Sequence, residues 1–141
     1  MKYFVLLSLV GTFVLSSCNK YSEGPTFSLL TRKARIINDW TLDSYTKDGT
    51  ELYDETYELN ISIEKDGTYS MSTITPNLGQ LQAETSHGTW EFDNDQSSVT
   101  LLEEGSIIGV SYDIVLLKNN NLKLRQTDFN NAVYDWSYIS K

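Results

Sequence analysis

Tyr57-Glu58-Leu59-Asn60-Ile61-Ser62-Ile63-Glu64-Lys65-Asp66-Gly67-Thr68-Tyr69-Ser70-Met71-Ser72-Thr73 decides the fold. In its first half Tyr57, Leu59, Ile61 and Ile63 alternate with Glu58, Asn60, Ser62 and Glu64, the period of a strand with one buried and one wet face. Asp66-Gly67 then supplies a hairpin signal, because both residues tolerate the positive φ of a tight turn. Tyr69, Met71 and Thr73 carry the inward face back along a second strand.

Asp48-Gly49 plays a similar part between Trp40–Thr46 and the segment from Glu51. Downstream, strands are expected at Gly88–Phe92, Val99–Leu102, Gly109–Leu117, Leu122–Gln126 and Ala132–Ile139. Turn-prone residues join them: Asn94-Asp95-Gln96, Glu103-Glu104-Gly105, Asn119-Asn120 and Asp128–Asn131. No stretch competes as a long helix. Upstream, SLLTRKARII at Ser28–Ile37 suits a short helix with Leu29, Leu30, Ala34 and Ile37 as its apolar residues, and Arg32-Lys33-Arg35 as a solvated basic face or, alternatively, a contact for anionic headgroups. Strands this numerous either stack as a sandwich or close on themselves, and closure removes exposed edges. The expected fold is all-β, an eight-stranded antiparallel up-and-down barrel preceded by a short N-terminal helix.

The alternation places Leu42, Leu59, Ile61, Met71, Phe92 and Ile114 inside, followed by Leu116, Leu122, Leu124, Tyr134 and Tyr138. Among the inward aromatics, Tyr57, Tyr69, Trp90, Tyr112 and Trp136 are the candidate walls of a ligand site. A barrel of eight strands is just wide enough to be filled by side chains or to hold one small molecule. Both outcomes stay open at this point.

Charge and composition narrow the function. The 141 residues carry a formal net charge of −8, and loss of Lys2 with a leader would leave the chain one unit more negative. Phosphate backbones are bound by Lys and Arg, so nucleic acid is not an expected partner. His87 is the sole histidine and cannot alone build a histidine metal site or a catalytic triad. Glu103-Glu104 and Glu55/Glu58 read as solvated carboxylates. Asp93, Asp95, Ser97 and Glu104 only faintly echo a calcium loop, with Ser98 where the turn glycine belongs. No phosphate-binding glycine loop and no serine elbow is present in the sequence. No catalytic residue, metal or cofactor is therefore expected, and the chain reads as a non-enzyme.

At the N-terminus, Lys2, the apolar run Tyr3–Leu15 and the small pair Ser16-Ser17 have the make-up of a secretory signal. Leu15-Ser16-Ser17-Cys18 resembles the lipobox of bacterial lipoproteins at all four positions. The resemblance implies cleavage before Cys18 and lipidation there, with a thioether-linked diacylglycerol and an acyl group on the amine, which together make membrane residence stable. Asn19 after the cysteine points to the outer membrane, the facing leaflet being open. Residues 1–17 then form the signal peptide, 18–27 a lipidated tether reaching at most roughly 30 Å, and 28–141 the barrel domain.

The strand series, with DWTLDSYTKDGTEL at Asp39–Leu52, DGTYSM at Asp66–Met71 and HGTWEFDNDQSSVTLL at His87–Leu102, resembles the lipocalin-like domain of small bacterial lipoproteins. Asn38-Asp39-Trp40 departs from the Gly-x-Trp that usually opens that pattern. The resemblance implies an eight-stranded barrel with ligand capacity and transfers no particular ligand; the anchor and the aromatic interior together make the expected function that of an envelope lipoprotein whose barrel binds a small hydrophobic or amphipathic molecule. The alternative is a tethered module with a filled core that docks on an envelope protein or glycan-capturing complex.

Overall fold

The computed structural model describes residues 29–54 and 56–141. The signal peptide, the tether, Cys18 and Glu55 lie outside the described residues. A five-residue helix, α1 (Arg32–Ile36), precedes nine strands: β1 (Asp39–Lys47), β2 (Thr50–Glu51), β3 (Glu58–Ile63), β4 (Thr68–Asn77), β5 (Gln80–Phe92), β6 (Ser98–Glu103), β7 (Val110–Leu117), β8 (Asn121–Thr127) and β9 (Val133–Ser140). β2 is a stub on the end of β1. The other eight run in one antiparallel order, and β1 pairs with β9 from Trp40↔Ser140 to Lys47↔Tyr134, which closes the barrel. The sandwich alternative is thereby removed.

The two Asp-Gly hairpins turn differently. Asp48 (φ 49°) and Gly49 (φ 78°) both sit in the left-handed region between paired Lys47 and Thr50, a two-residue turn whose twist matches its strands. Between β3 and β4 only Gly67 (φ 92°) does so, because the loop has three residues, 65–67, inside the Glu64–Thr68 pair. Asp66 instead caps it, accepting from the Thr68 amide at 3.0 Å and its hydroxyl at 2.7 Å.

Four expectations are corrected. β5 has thirteen residues, not five: Gln80–His87 pairs along β4, but its side chains are almost all exposed, so no alternation marked it. On β7 the register shifts between Ile114 and Leu116, which places Leu116 opposite Lys123 and brings fully buried Leu117 inward. α1 buries Arg35 and Ile36, while Leu29 is 90% exposed and Ala34 also faces solvent. A helix this short has its face chosen by the surface it docks on rather than by its own periodicity. The Arg32-Lys33-Arg35 cluster is accordingly no simple solvated face, since the Arg35 Nη1 donates to the Leu117 carbonyl at 2.8 Å.

α1 and the turns at residues 65–67, 93–97 and 118–120 gather at one end of the barrel. Two indoles seal it: Trp40 Nε1 donates to the Ile36 carbonyl at 2.9 Å and Trp90 Nε1 to the Glu64 carbonyl at 2.8 Å. Ile36, Leu117, Leu122 and Val99 pack with them in a single core. Outside the wall, Arg125 grips Asp135 with two bonds of 2.7 and 2.8 Å across β8 and β9. Gly88 faces the inside of β5, where an added Cβ would run into the Leu102 carbonyl and lie 2.6 Å from the Tyr69 ring. Backbone cannot yield there, so Gly88→Ala is expected to cost about 1–3 kcal/mol, read as a lowered urea midpoint with unchanged slope. A variant as stable as the parent would show that β5 and β6 are not so closely apposed.

Candidate ligand site at the open end of the barrel

The opposite end carries the Asp48-Gly49 turn, the 52–57 segment and the turns at 78–79, 104–109 and 128–132. Within it lies a cavity of about 350 Å³ walled by Leu42, Tyr45, Tyr57, Leu59 and Trp136 and flanked by Leu52, Tyr53 and Asp54. That volume is at the lower bound of ordinary small-molecule sites, which begin near about 300 Å³.

Tyr45 reaches this wall because β1 slips in register between Leu42 and Ser44. Unbroken alternation from Leu42 would point Ser44 and Thr46 inward; the bulge sends Tyr45 and Lys47 there instead, opposite Trp136 and Tyr134. The rings of Tyr45 and Trp136 stack at 5.2 Å and 23°, and Tyr134 lies nearly parallel to both at 6.3 and 6.1 Å. The Lys47 ammonium sits 5.3 Å from the Tyr134 ring centre. Glu51 holds the corner: its carboxylate accepts from the Ser44 hydroxyl (2.6 Å), the Tyr45 amide (3.0 Å) and the Tyr53 amide (2.9 Å), which keeps it ionised. Asp54 Oδ1 accepts from the Thr56 amide and hydroxyl, both at 2.9 Å, and these bonds hold its carboxyl below the usual range.

Of the five candidate walls, Tyr57 and Trp136 line this cavity, and Tyr112 packs edge-on against Trp136 at 5.4 Å. Trp90 belongs to the sealed end, edge-on to Phe92. Tyr69 touches a second, wider hollow of about 640 Å³ that lies largely on the outer face of β4, β5 and β6, with Ser70, His87, Thr89 and Glu104. Its larger size does not make it the better site, since it lies mostly on the outer face of the sheet and not inside the barrel. Tyr45, Tyr53 and Asp54 were not among the sequence candidates; a polar Ser44/Thr46 interior was the signal that could have exposed the bulge. At the calcium-like loop, Asp93 accepts from the Ser97 amide, the Ser97 hydroxyl and the Ser98 amide, which makes it a turn cap. Among the described residues no group of three or more His, Cys, Asp or Glu is placed to hold a metal ion.

Phenols dominate the interior chemistry. Burial pushes the Tyr138 hydroxyl far above its ordinary value, with Tyr112 and Tyr57 adding to it; burial, then Tyr69, raises Tyr112. Tyr69 is raised by burial and then by Glu103, and Tyr45 by burial and then by Tyr134. The buried phenols of the inner wall are therefore uncharged at neutral pH and present hydroxyl groups to the interior.

The chain is similar in structure to bovine odorant-binding protein. A complex of that protein with a selenium-containing odorant gives a TM-score of 0.49 at 12% identity, covering 82% of this chain and 76% of that one. The odorant-binding protein from bovine nasal mucosa gives 0.48 at 12%, over 82% and 77%, and its complex with undecanal 0.46 at 13%, over 74% and 70%. No family model and no curated protein matches the sequence.

Phenols whose folded-state values are raised bind their protons more tightly in the native chain than in the unfolded one. Their contribution to stability is intact below the ordinary phenol value, about pH 10, and is lost as pH climbs past it. Urea midpoints should fall progressively above that pH, and less steeply in Tyr138→Phe. An identical alkaline slope in that variant would contradict the buried phenol.

Proposed function

We propose that the protein is a non-enzymatic, lipid-anchored protein of the bacterial cell envelope whose barrel takes up a small hydrophobic or amphipathic molecule. One observation carries the binding part: a closed barrel sealed at the α1 end keeps an aromatic cavity of about 350 Å³ at the other. A filled core would have left no such space. The anchor part rests on the lipobox at Leu15–Cys18 and on Asn19.

A second reading, docking on an envelope protein, draws on the apolar tips of the open-end turns. Leu78 and Leu81 on the β4–β5 hairpin, Ile107 and Ile108 before β7, and Phe129 before β9 are all strongly exposed. In that reading the tips, not the cavity, make the contact.

Titration of the neutral fluorophore N-phenyl-1-naphthylamine tests the cup. Trp136 forms a large part of its wall, so Trp136→Ala should weaken binding about tenfold or more, equal to roughly 1.4 kcal/mol or above; no uptake by the parent protein would rule the cup out. For the anchor, the full-length chain expressed in a diderm bacterium should pellet with outer membranes, and Cys18→Ser should leave it soluble. Equal fractionation of the two would refute lipidation.

A further inference from the structure

The cavity is unusual in its charges, and this inference rests on reading it as a ligand site. Among the described residues its lining holds four aromatic rings, Tyr45, Tyr53, Tyr57 and Trp136, three leucines and one ionised group, Asp54. Among the described residues no Lys, Arg or His lines it. Lys47, farther along β1, is engaged with the Tyr134 ring. Asp54 spends Oδ1 on the two Thr56 donors, and Oδ2 has no hydrogen-bond partner among the described residues.

We propose that the cup selects a cationic amphiphile, an alkylammonium whose charged head sits against Asp54 and the Tyr45, Tyr53, Tyr57 and Trp136 rings while its chain lies on Leu42 and Leu59. Ring faces attract a cation through their quadrupole, tryptophan most strongly, and the attraction grows when water is excluded. A carboxylate rejects an anion at the same place, because the anion would face Asp54 with no counter-cation. A neutral chain gains the leucine contacts but makes no use of Asp54, which lies exposed at the cavity mouth. The long-range field agrees, since a chain of net charge −8 draws cations toward its clefts. The quasi-parallel stack of Tyr45, Trp136 and Tyr134 adds rigidity, so the rings need little reordering when a head group arrives.

The test uses three probes of one chain length below their micelle thresholds: octyltrimethylammonium, 1-octanol and octanoate, each followed by calorimetry and tryptophan fluorescence on the whole mature chain. Octyltrimethylammonium should bind at least tenfold tighter than octanol, and octanoate more weakly than both. Asp54→Asn keeps an oxygen for the Thr56 donors, so the turn persists, and it should erase most of the ammonium preference while leaving octanol affinity within twofold. Tyr57→Leu should lower ammonium affinity more than octanol affinity. If octanol or octanoate binds as tightly as the ammonium, or if Asp54→Asn leaves the ratio unchanged, the charge selection is overturned while the apolar cup stands. If none of the three binds, the ligand-binding function itself fails and this inference with it.

Discussion

The pairing of β1 with β9 is the constraint on which the rest of the molecule depends. Trp40 to Lys47 on the first strand meets Ser140 to Tyr134 on the last, the pairing that spans the greatest separation along the chain. Until it forms, the meander has two raw edges and its inner side chains have no opposing wall. Contacts this distant carry a loop-closure cost that local hairpins avoid, and they make closure the step that turns a ribbon into a container. The same pairing sets Tyr45 against Trp136 and Leu42 against Tyr138, so the seam and the wall of the cavity are one piece of structure.

Each end of the barrel follows from what lies next to that seam. At one end Trp40 opens β1 and its indole holds the last carbonyl of α1, while Trp90 does the same for Glu64 in the neighbouring turn. Indole N–H groups buried without an acceptor would be costly; here they bind the lid to the barrel. At the other end the bulge in β1 turns Tyr45 inward beside Trp136, and Glu51 holds the Tyr45 and Tyr53 amides at the rim. Side chains that could have plugged the barrel instead line it. The cavity survives because the aromatics are stacked against one another along one wall.

Much of this was legible along the chain. The alternation of Tyr57 to Ile63 and of Tyr69 to Met71 appears in the structure as paired β3 and β4, and the turn residues after them marked the later hairpins. Gln80–His87 was silent because a strand wet on both faces has no hydrophobic period to read. Leu116 was assigned inward since parity counting carries no information about a bulge, and Arg35 was placed in solvent since nothing local shows that Leu117 offers a carbonyl to it. For the site, Tyr57 and Trp136 could be picked out by parity, but Tyr45 lay behind a register slip and Tyr53 and Asp54 behind a loop.

From residue order alone came the all-β class, the antiparallel meander, the hairpin positions and the aromatic character of the interior. These are properties of near neighbours: period-two burial and turn chemistry act within a few residues, so they are written locally. Only the tertiary structure decided that the sheet closes, that β1 and β7 shift register, that α1 lids one end, and that the other end keeps space. Each of those depends on surfaces brought together from far apart in the chain, where the geometry of the whole wall, and not the preference of any one residue, chooses which side chain turns inward.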